Sequence, residues 1–264
     1  MEQTSENDSA NQRGTAGVAA LARGLELLRC FTPQEPVLSN AELTQRSGLA
    51  KSTVSRLTRT LVELGYLRRS GRAYGVGPAV LALGYAALAN LRLRELARPQ
   101  MQALADATQT LVSLATRDRL AMIYLENCRS AASVTLRVSV GTQLPLATTS
   151  VGRAFLAGLP AAERTFLTGQ LAAREGAAWP AQAAALEREL RRYAEHGYCL
   201  SLGEWKKDTN AAATPLHLAE GNELLVLSIG GPAFAVTARQ LEDELAARLV
   251  ALARHIETLL ARAP

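Results

Sequence analysis

The sequence lacks the patterns that would indicate a redox, metal-binding or membrane-spanning protein. Its three cysteines, Cys30, Cys128 and Cys199, lie far apart, which gives neither a disulfide framework nor zinc-site spacing. No stretch approaches the roughly 20 consecutive apolar residues that a membrane-spanning helix needs. We therefore expect small, buried cysteine side chains, no metal site, and no membrane partner.

Signatures of catalysis are also missing. The three histidines, His196, His217 and His255, are scattered, and the chain contains no Gly-x-Ser-x-Gly, Walker loop, His-Glu pair or cluster of carboxylates. This favours a protein that is not an enzyme and that needs no cofactor. An enzyme acting on small carboxylates stays open as the weakest alternative.

Length and composition predict two globular domains preceded by a tail. The chain has 264 residues, of which 48% are hydrophobic, enough for more than one core. The first residues, Met1 to Thr15, are polar and have no apolar secretion segment. We therefore predict a disordered tail over residues 1–14 and a cytoplasmic protein.

Positive charge is concentrated in one short segment. The net charge is +5, and the segment from Arg46 to Arg72 holds seven basic residues and one acid, Glu63, for a local charge of +6. The remainder of the chain is therefore close to neutral. A compact basic segment of this kind is the electrostatic signature of a nucleic-acid contact.

The same segment has the order of elements of a winged helix-turn-helix. Ser39 with Glu42 three residues later forms a capping box that opens a short helix, and Gly48 suits the turn that ends it. A third helix is predicted from about Lys51 to Leu64. Two extended pieces joined by Ser70-Gly71-Arg72 follow and are typical of a hairpin wing.

The third helix separates polar from apolar residues. Val54, Leu57, Leu61 and Leu64 form its apolar stripe, while hydroxyl and guanidinium groups on the other side suit base edges and phosphates. An ordinary amphipathic helix with a solvated basic face is the alternative for this helix alone. The predicted DNA-binding residues, on the helix and the wing, are Lys51, Ser52, Thr53, Ser55, Arg56, Arg59, Arg68, Arg69 and Arg72.

Beyond Thr110 the pattern changes to mixed strands and helices. Consecutive strand-like segments, among them Leu111 to Arg117, Leu120 to Glu126 and Ser133 to Val138, favour an antiparallel sheet flanked by helices. A long helix from about Thr237 to Ala261 closes the chain. The sequence therefore predicts an α+β fold in its second half.

Several motifs in order resemble the IclR family of bacterial transcriptional regulators. Val18–Leu28 is similar to the first helix of the family, Ser47–Leu57 to its recognition segment, and Val151–Ala157 and Ser228–Pro232 to parts of its second domain. The resemblance implies a winged helix-turn-helix over residues 15–78, a linker helix over 79–109 and an effector-binding domain over 110–264. It also implies a homodimer or homotetramer on double-stranded operator DNA, controlled by a small carboxylate.

The family's effector pocket lies at the start of the helix that Thr148 to Arg153 opens in this chain, where N–H groups and hydroxyls suit an anion. Arg153 itself is predicted either to pair with the carboxylate or to take a structural role at the surface. Carried over by position, the effector-binding residues are Leu136, Leu144, Ser150, Val151, Gly152, Ser201, Ala211, Ala212, Ser228 and Gly230.

This chain departs from the family in the polarity of that pocket. Many members have an acidic residue near Ser201 and a small polar one at Gly230, and Ala211 to Ala213 form an apolar wall here. The segment Thr149 to Arg153 is similar to the subgroup that senses protocatechuate and p-hydroxybenzoate. We therefore expect a regulator of a catabolic operon whose effector is an aromatic carboxylate. A small aliphatic acid, or a ligand-sensing module that does not bind DNA, are the alternatives.

Overall fold

The computed structural model describes residues 19–89, 92–131, 138–218 and 224–262. The chain divides into two compact units, with the boundary between Asn90 and Leu91. Among the described residues, no helix combines the length and the apolar character needed to cross a lipid bilayer.

The first unit is a small helical domain with a three-stranded sheet. Its core is built from Leu27, Leu38, Leu43 and Val54, all buried. The antiparallel sheet has the order β1-β3-β2. In chain order the elements are α1 (19–29), β1 (Val37–Ser39), α2 (Asn40–Ser47), α3 (Lys51–Glu63), β2 (Leu67–Ser70), β3 (Ala73–Val76) and α4 (Pro78–Ala89).

The predicted start and end of the short helix α2 are confirmed. The backbone N–H of Ser39 donates to Glu42 Oε2 at 2.7 Å, and the N–H of Glu42 donates to Ser39 Oγ at 3.3 Å. Gly48 follows the helix at φ +67° and donates its N–H to Thr44 O. These local bonds fix the turn between α2 and α3 from residues adjacent in sequence.

Two details of this unit differ from the sequence expectation. Leu64 was expected on the buried stripe of α3, but it lies beyond the last helical residue and is 62% exposed. Thr58 is buried in its place and donates its hydroxyl to Val54 O at 2.9 Å. Strand β1 was not predicted, because three residues are too few to show an alternating pattern.

The second unit is an antiparallel sheet covered by helices on both faces, and the predicted α+β class is confirmed. Its six strands have the order β6-β5-β4-β9-β8-β7. The elements are α5 (Arg92–Thr108), β4 (Leu111–Asp118), β5 (Ala121–Arg129), β6 (Gln143–Pro145), α6 (Ser150–Gly158), α7 (Ala161–Glu175), a 3₁₀ turn (Gly176–Ala178), α8 (Trp179–His196), β7 (Cys199–Leu202), β8 (Thr209–His217), β9 (Leu224–Pro232), α9 (Ala238–Gln240), a π turn (Leu241–Leu245) and α10 (Ala246–Arg262).

Side chains alternate between two cores because successive strand residues point to opposite faces of the sheet. Ala212 packs in the core with Met101 of α5 and Leu249 of α10. Ala213 packs in the core on the other face, with Ala154 of α6. Helix α6 therefore lies on the face of the sheet opposite to α5 and α10.

The strand expected from Ser133 to Val138 falls almost entirely on 132–137, outside the described residues. The single helix expected at the end of the chain is divided by the π turn, although Thr237 caps its start as a capping box with Gln240. Cys128 and Cys199 are buried, whereas Cys30 is half-buried.

Candidate DNA interface and ligand cavity

Helix α3 carries its predicted polar residues on an accessible face. Lys51, Ser52, Ser55, Arg56 and Arg59 are exposed, and only Thr53 is half-buried. One of the cations, Arg59, has a carboxylate nearby, since its Nε lies 3.9 Å from Glu63 Oε1. The face therefore presents hydroxyl and cationic donors that the helix does not need for its own packing.

The hairpin β2–β3 adds three further exposed cations. Arg68 and Arg69 lie on β2 and Arg72 lies at the turn, and all three are exposed. The guanidinium of Arg69 is 6.0 Å from the centroid of the Tyr74 ring on the neighbouring strand. Cations at a hairpin that follows a recognition helix are placed as wing residues are in winged helix-turn-helix domains.

One member of the basic segment, Arg46, is exposed but is bonded within the unit. Arg46 donates from Nη1 to Cys30 O at 3.1 Å and from Nη2 to the Glu35 carboxylate. Its charge is therefore compensated within the unit. We therefore do not count Arg46 among the cations that α3 and the wing present.

In the second unit, a cavity opens at the start of α6. It is bounded by all six strands of the sheet, the helix start and the connection between β7 and β8. Its lining residues are Leu111, Ser113, Tyr124, Leu144, Thr149, Ser150, Val151, Ser201, Trp205, Thr209, Ala211, Ser228 and Gly230.

The structure brings together most, but not all, of the residues predicted for this pocket. Leu144, Ser150, Val151, Ser201, Ala211, Ser228 and Gly230 line the cavity. Leu136 lies outside the described residues. The remaining two predicted members, Gly152 and Ala212, do not line it.

The placement of Ala212 and Gly152 has simple geometric reasons. Ala212 follows Ala211 on β8 and so points to the opposite face of the sheet, into the other core. Gly152 packs against the preceding loop, and a Cβ built on it would lie 2.1 Å from Leu146 O. Both positions shape the surroundings of the cavity but do not face it.

Sequence reasoning missed Leu111, Ser113, Tyr124, Thr149, Trp205 and Thr209. Strand pairing explains part of this set, because Leu111 pairs with Gly230 and Ser113 pairs with Ser228 across β4 and β9. The alternation of Leu111 and Ser113 along β4 places both on one face. Which strands would be neighbours could not be read from that local pattern.

The end of the cavity at α6 offers donors for an anion. Thr149 caps the helix: its Oγ1 accepts from the N–H of Gly152 at 3.1 Å and donates to Pro145 O at 2.8 Å. The first N–H groups of a helix have no partner within the helix. Those of Ser150 and Val151, at the cavity, are thus the ones placed to donate to a ligand together with the helix dipole.

The floor of the cavity is polar but uncharged. Burial raises the pKa of Tyr124 to about 12, against the opposing effect of its hydrogen bonds with Ser228 and Ser113. The phenol is therefore a neutral hydrogen-bonding group at physiological pH. None of the described lining residues is an Asp, Glu, Lys or Arg, so an anion bound here meets dipoles instead of a counter-charge.

Arg153 has a structural role, as one of its two sequence expectations had it, but it is buried and not at the surface. It is 1% exposed and does not line the cavity. Its Nε donates to Ala147 O at 3.0 Å, and Nη1 donates to Leu200 O at 2.9 Å. Both Nη1 and Nη2 also contact the carboxylate of Glu204.

The cavity itself is small. Its volume of about 30 Å³ compares with about 10–15 Å³ for a single water on the same kind of measure. The surrounding side chains, Trp205 among them, therefore enclose a narrow space.

An exposed cationic helix-turn-helix in one unit and a small cavity at a helix start in the other are the features of a ligand-responsive transcriptional regulator. Comparison with known proteins gives the family. The model of the IclR helix-turn-helix domain matches residues 20–71, and that of the bacterial transcriptional regulator IclR C-terminal domain matches residues 85–258. The chain belongs to the IclR family of transcriptional regulators, which are not enzymes.

Individual relatives cover most of the chain. The HTH-type transcriptional regulator TsaQ1/TsaQ2 of Comamonas testosteroni is 36% identical over 229 residues, 85% of this chain and 82% of its own length. The Pca regulon regulatory protein of Pseudomonas putida is 28% identical over 244 residues, 90% of this chain and 83% of its own. A crystal structure of an IclR family regulator from Brucella abortus superposes with a TM-score of 0.85 at 46% identity, covering 93% of this chain and 92% of that one.

Proposed function

We propose that the chain binds operator DNA of a catabolic operon through α3 and the β2–β3 wing, and that an aromatic carboxylate bound in the cavity controls this binding. The observation that carries the ligand class is the cavity itself, which has helix N–H donors at one end, apolar side chains along its walls and no charged lining residue among those described. The carboxylate would lie at Ser150 and Val151.

The walls favour a ring over a flexible polar acid. Leu111, Leu144, Val151 and Ala211 present apolar atoms, and Trp205 presents an aromatic face. Aromatic rings pack favourably against such surfaces. The similarity to the Pca regulon regulatory protein agrees with the resemblance of Thr149 to Arg153 to the subgroup that senses protocatechuate and p-hydroxybenzoate.

A small aliphatic acid is the second candidate, and the narrow volume of the cavity favours it. Calorimetry on the full chain separates the two, with benzoate, 4-hydroxybenzoate and phthalate as one panel and glyoxylate and pyruvate as the other. We expect heat of binding from at least one aromatic acid. Heat from the aliphatic panel alone would overturn the proposed ligand class.

A cavity-filling variant connects that heat to the cavity. Ala211→Leu adds volume to the wall and should abolish binding of the aromatic acid. The matched control is Ala173→Leu, because Ala173 is exposed on α7. Equal loss of binding in both variants would place the binding site elsewhere.

DNA binding is tested by fluorescence anisotropy on the intergenic DNA upstream of the chain's own gene. We expect tight, sequence-specific binding that weakens with salt, because several phosphate contacts release counterions. Adding an aromatic acid that gives heat should change the operator affinity. Absence of specific binding would favour a module that only senses ligand.

We further propose that the DNA-binding species is a homodimer or homotetramer. The first unit leaves apolar side chains exposed on two helices, Leu21 and Leu25 on α1 and Leu81, Leu83 and Tyr85 on α4. A second copy covering them would remove this apolar area from water. Analytical ultracentrifugation should find no monomer at micromolar concentration, and Leu81→Lys should shift the distribution toward monomer.

A further inference from the structure

One wall of the cavity belongs to a loop instead of the sheet. The loop, residues 203–208, connects β7 to β8 and contributes Trp205 to the lining. The indole is half-buried against the core around α6, and Nζ of the exposed Lys206 lies 4.5 Å from the centroid of its ring. Trp205 thus separates the cavity from the surface of the unit.

The loop is fastened to α6 by one ion pair. Arg153, on α6, contacts both oxygens of Glu204, the residue that precedes Trp205. The base of the loop is closed by the N–H of Gly203, which donates to Thr209 O at 2.9 Å. The position of the indole therefore depends on the contact between Glu204 and Arg153.

The two partners of this ion pair differ in how far they are fixed. Arg153 is 1% exposed and also donates to the carbonyls of Ala147 and Leu200. The side chain of Glu204 is 37% exposed. If the loop moves outward, the carboxylate can be hydrated, but the buried guanidinium keeps only two neutral carbonyl acceptors, so opening costs free energy and the ion pair favours the closed loop.

The cavity is too small for an aromatic ring unless part of its wall moves. A cavity of about 150 Å³ holds a benzene molecule, whereas the volume here is about 30 Å³. Most of the wall is sheet backbone and helix start, which are held by regular hydrogen bonds. The end of the loop has main-chain bonds, from the N–H of Ala233 to Asp208 O and from that of Thr209 to Lys206 O, whereas the part that carries Trp205 is held to α6 by the side chain of Glu204.

We propose that Trp205 is a movable wall of the effector cavity, and that the Arg153–Glu204 ion pair is a positioning contact that keeps it closed and thereby limits which acids enter and how fast. This rests on the proposed function in one respect, namely that the cavity is where the effector binds. The ion pair does not touch the ligand. It acts through the indole.

The first experiment needs no ligand. In a Trp179→Phe background Trp205 is the sole tryptophan, since the chain has two, and acrylamide quenching reports its accessibility. Glu204→Gln keeps the size of the side chain but removes its charge. Because this weakens a charge-assisted bidentate contact, the equilibrium between the closed and the open loop should shift toward the open loop. We expect the quenching constant of Trp205 to rise about twofold or more. Asp243→Asn is the control, since it removes another ion pair of the same unit, with Arg239.

The second experiment measures entry by stopped-flow fluorescence, with 4-hydroxybenzoate as the probe. Glu204→Gln should speed association about tenfold, in proportion to the larger open fraction. Trp205→Ala should additionally admit 2-naphthoate, a larger ring. A merely structural role of these residues would lower stability without changing the order in which acids of different size bind.

The outcomes test the movable Trp205 wall and the aromatic class of the ligand separately. If Glu204→Gln, shown to be folded by circular dichroism, quenches like the Asp243→Asn control, the positioning role of the ion pair is wrong. If quenching increases while no aromatic acid binds to any variant, the ligand class is wrong and the movable wall stands. If association is faster and 2-naphthoate binds to Trp205→Ala, both are supported.

Discussion

The DNA-facing surface of the first unit and the cavity of the second both recognise negative charge in this proposal, but by opposite means. The α3 and wing surface presents full cations on exposed side chains. The cavity presents neutral dipoles in a buried place, with hydroxyls and helix N–H groups and no charged residue among the described lining. Exposed cations suit DNA, a long polyanion that releases counterions on binding. Fixed dipoles in a cavity suit one small anion that has to be recognised by its shape.

The largest effect is expected from breaking the cavity's frame at Gly152. A Cβ at this position would lie 2.1 Å from the carbonyl oxygen of Leu146, so Gly152→Ala must displace backbone. We expect a loss of at least about 3 kcal/mol in the free energy of unfolding. Urea unfolding followed by tryptophan fluorescence measures it in the second unit, because Trp179 and Trp205 both lie there.

The matched control is Gly169→Ala on α7, where an added Cβ meets no atom within 4 Å. Alanine has the higher helix propensity, so this variant should gain up to about 1 kcal/mol. A loss at Gly169 similar to that at Gly152 would mean that helical glycines in this unit are sensitive for another reason than the close approach to Leu146.

Arg56→Ala should affect the DNA-binding surface of the first unit and not the cavity. Removing an exposed guanidinium from the face of α3 should weaken specific operator binding by about 1–3 kcal/mol and leave the affinity for the effector unchanged. Anisotropy titrations and calorimetry measure the two quantities on the same preparation. Arg254→Ala, which removes an exposed cation from α10, is the control, and operator affinity equal to that of this control would remove Arg56 from the interface.

The buried, neutral Tyr124 in the floor of the cavity should make the free energy of unfolding depend on pH in the alkaline range. The pKa of Tyr124 is raised from its usual value near 10 to about 12 in the folded chain, so the folded state holds the proton more tightly than the unfolded one. The contribution of this proton to the free energy of unfolding is complete below pH 10. It is lost as the pH rises from 10 to 12, by about 1 kcal/mol per pH unit. Tyr124→Phe should lack this component in urea unfolding measured at pH 9 and pH 11.

Salt concentration should change the affinity for operator DNA but not the affinity for the effector, and a single wing variant should alter this dependence by a small amount. Arg68→Ala on the wing should reduce the slope of log K against log salt for operator binding by about 1. Effector affinity should change little over the same range, because its proposed partners are dipoles and not side-chain charges. An equally steep salt dependence for the effector would indicate that a cation takes part in binding it.

Local sequence predicted the first unit better than the second. The capping box of Ser39 and Glu42 and the turn at Gly48 depend on neighbours in the chain, so their residue types are sufficient to place α2 and α3. The cavity depends on strand neighbours that are far apart in sequence. Seeing that Ser113 lies beside Ser228 requires the order of the sheet, and no local pattern contains it.

The residues misjudged in the second unit show the same limit. Ala211 and Ala212 look alike in sequence, and only the register of β8 decides which of them faces the cavity. Arg153 was expected at the surface or at the ligand, whereas it is buried, and a buried arginine needs a partner. Its partner, Glu204, lies 51 residues away, beyond the reach of any helical or turn pattern.

Gly230 on β9 has a consequence for how relatives of this chain can diverge. A Cβ there would lie 2.7 Å from Ala211 Cβ and equally close to Asn210 O, so even shortening Ala211 to glycine would leave a clash with the main chain. In this chain a side chain at position 230 therefore requires the main chain of β8 to shift, so a polar residue there has to be accompanied by a change in β8. A new effector preference can arise more simply at the rim, where the side chain at position 205 can change size without disturbing a strand.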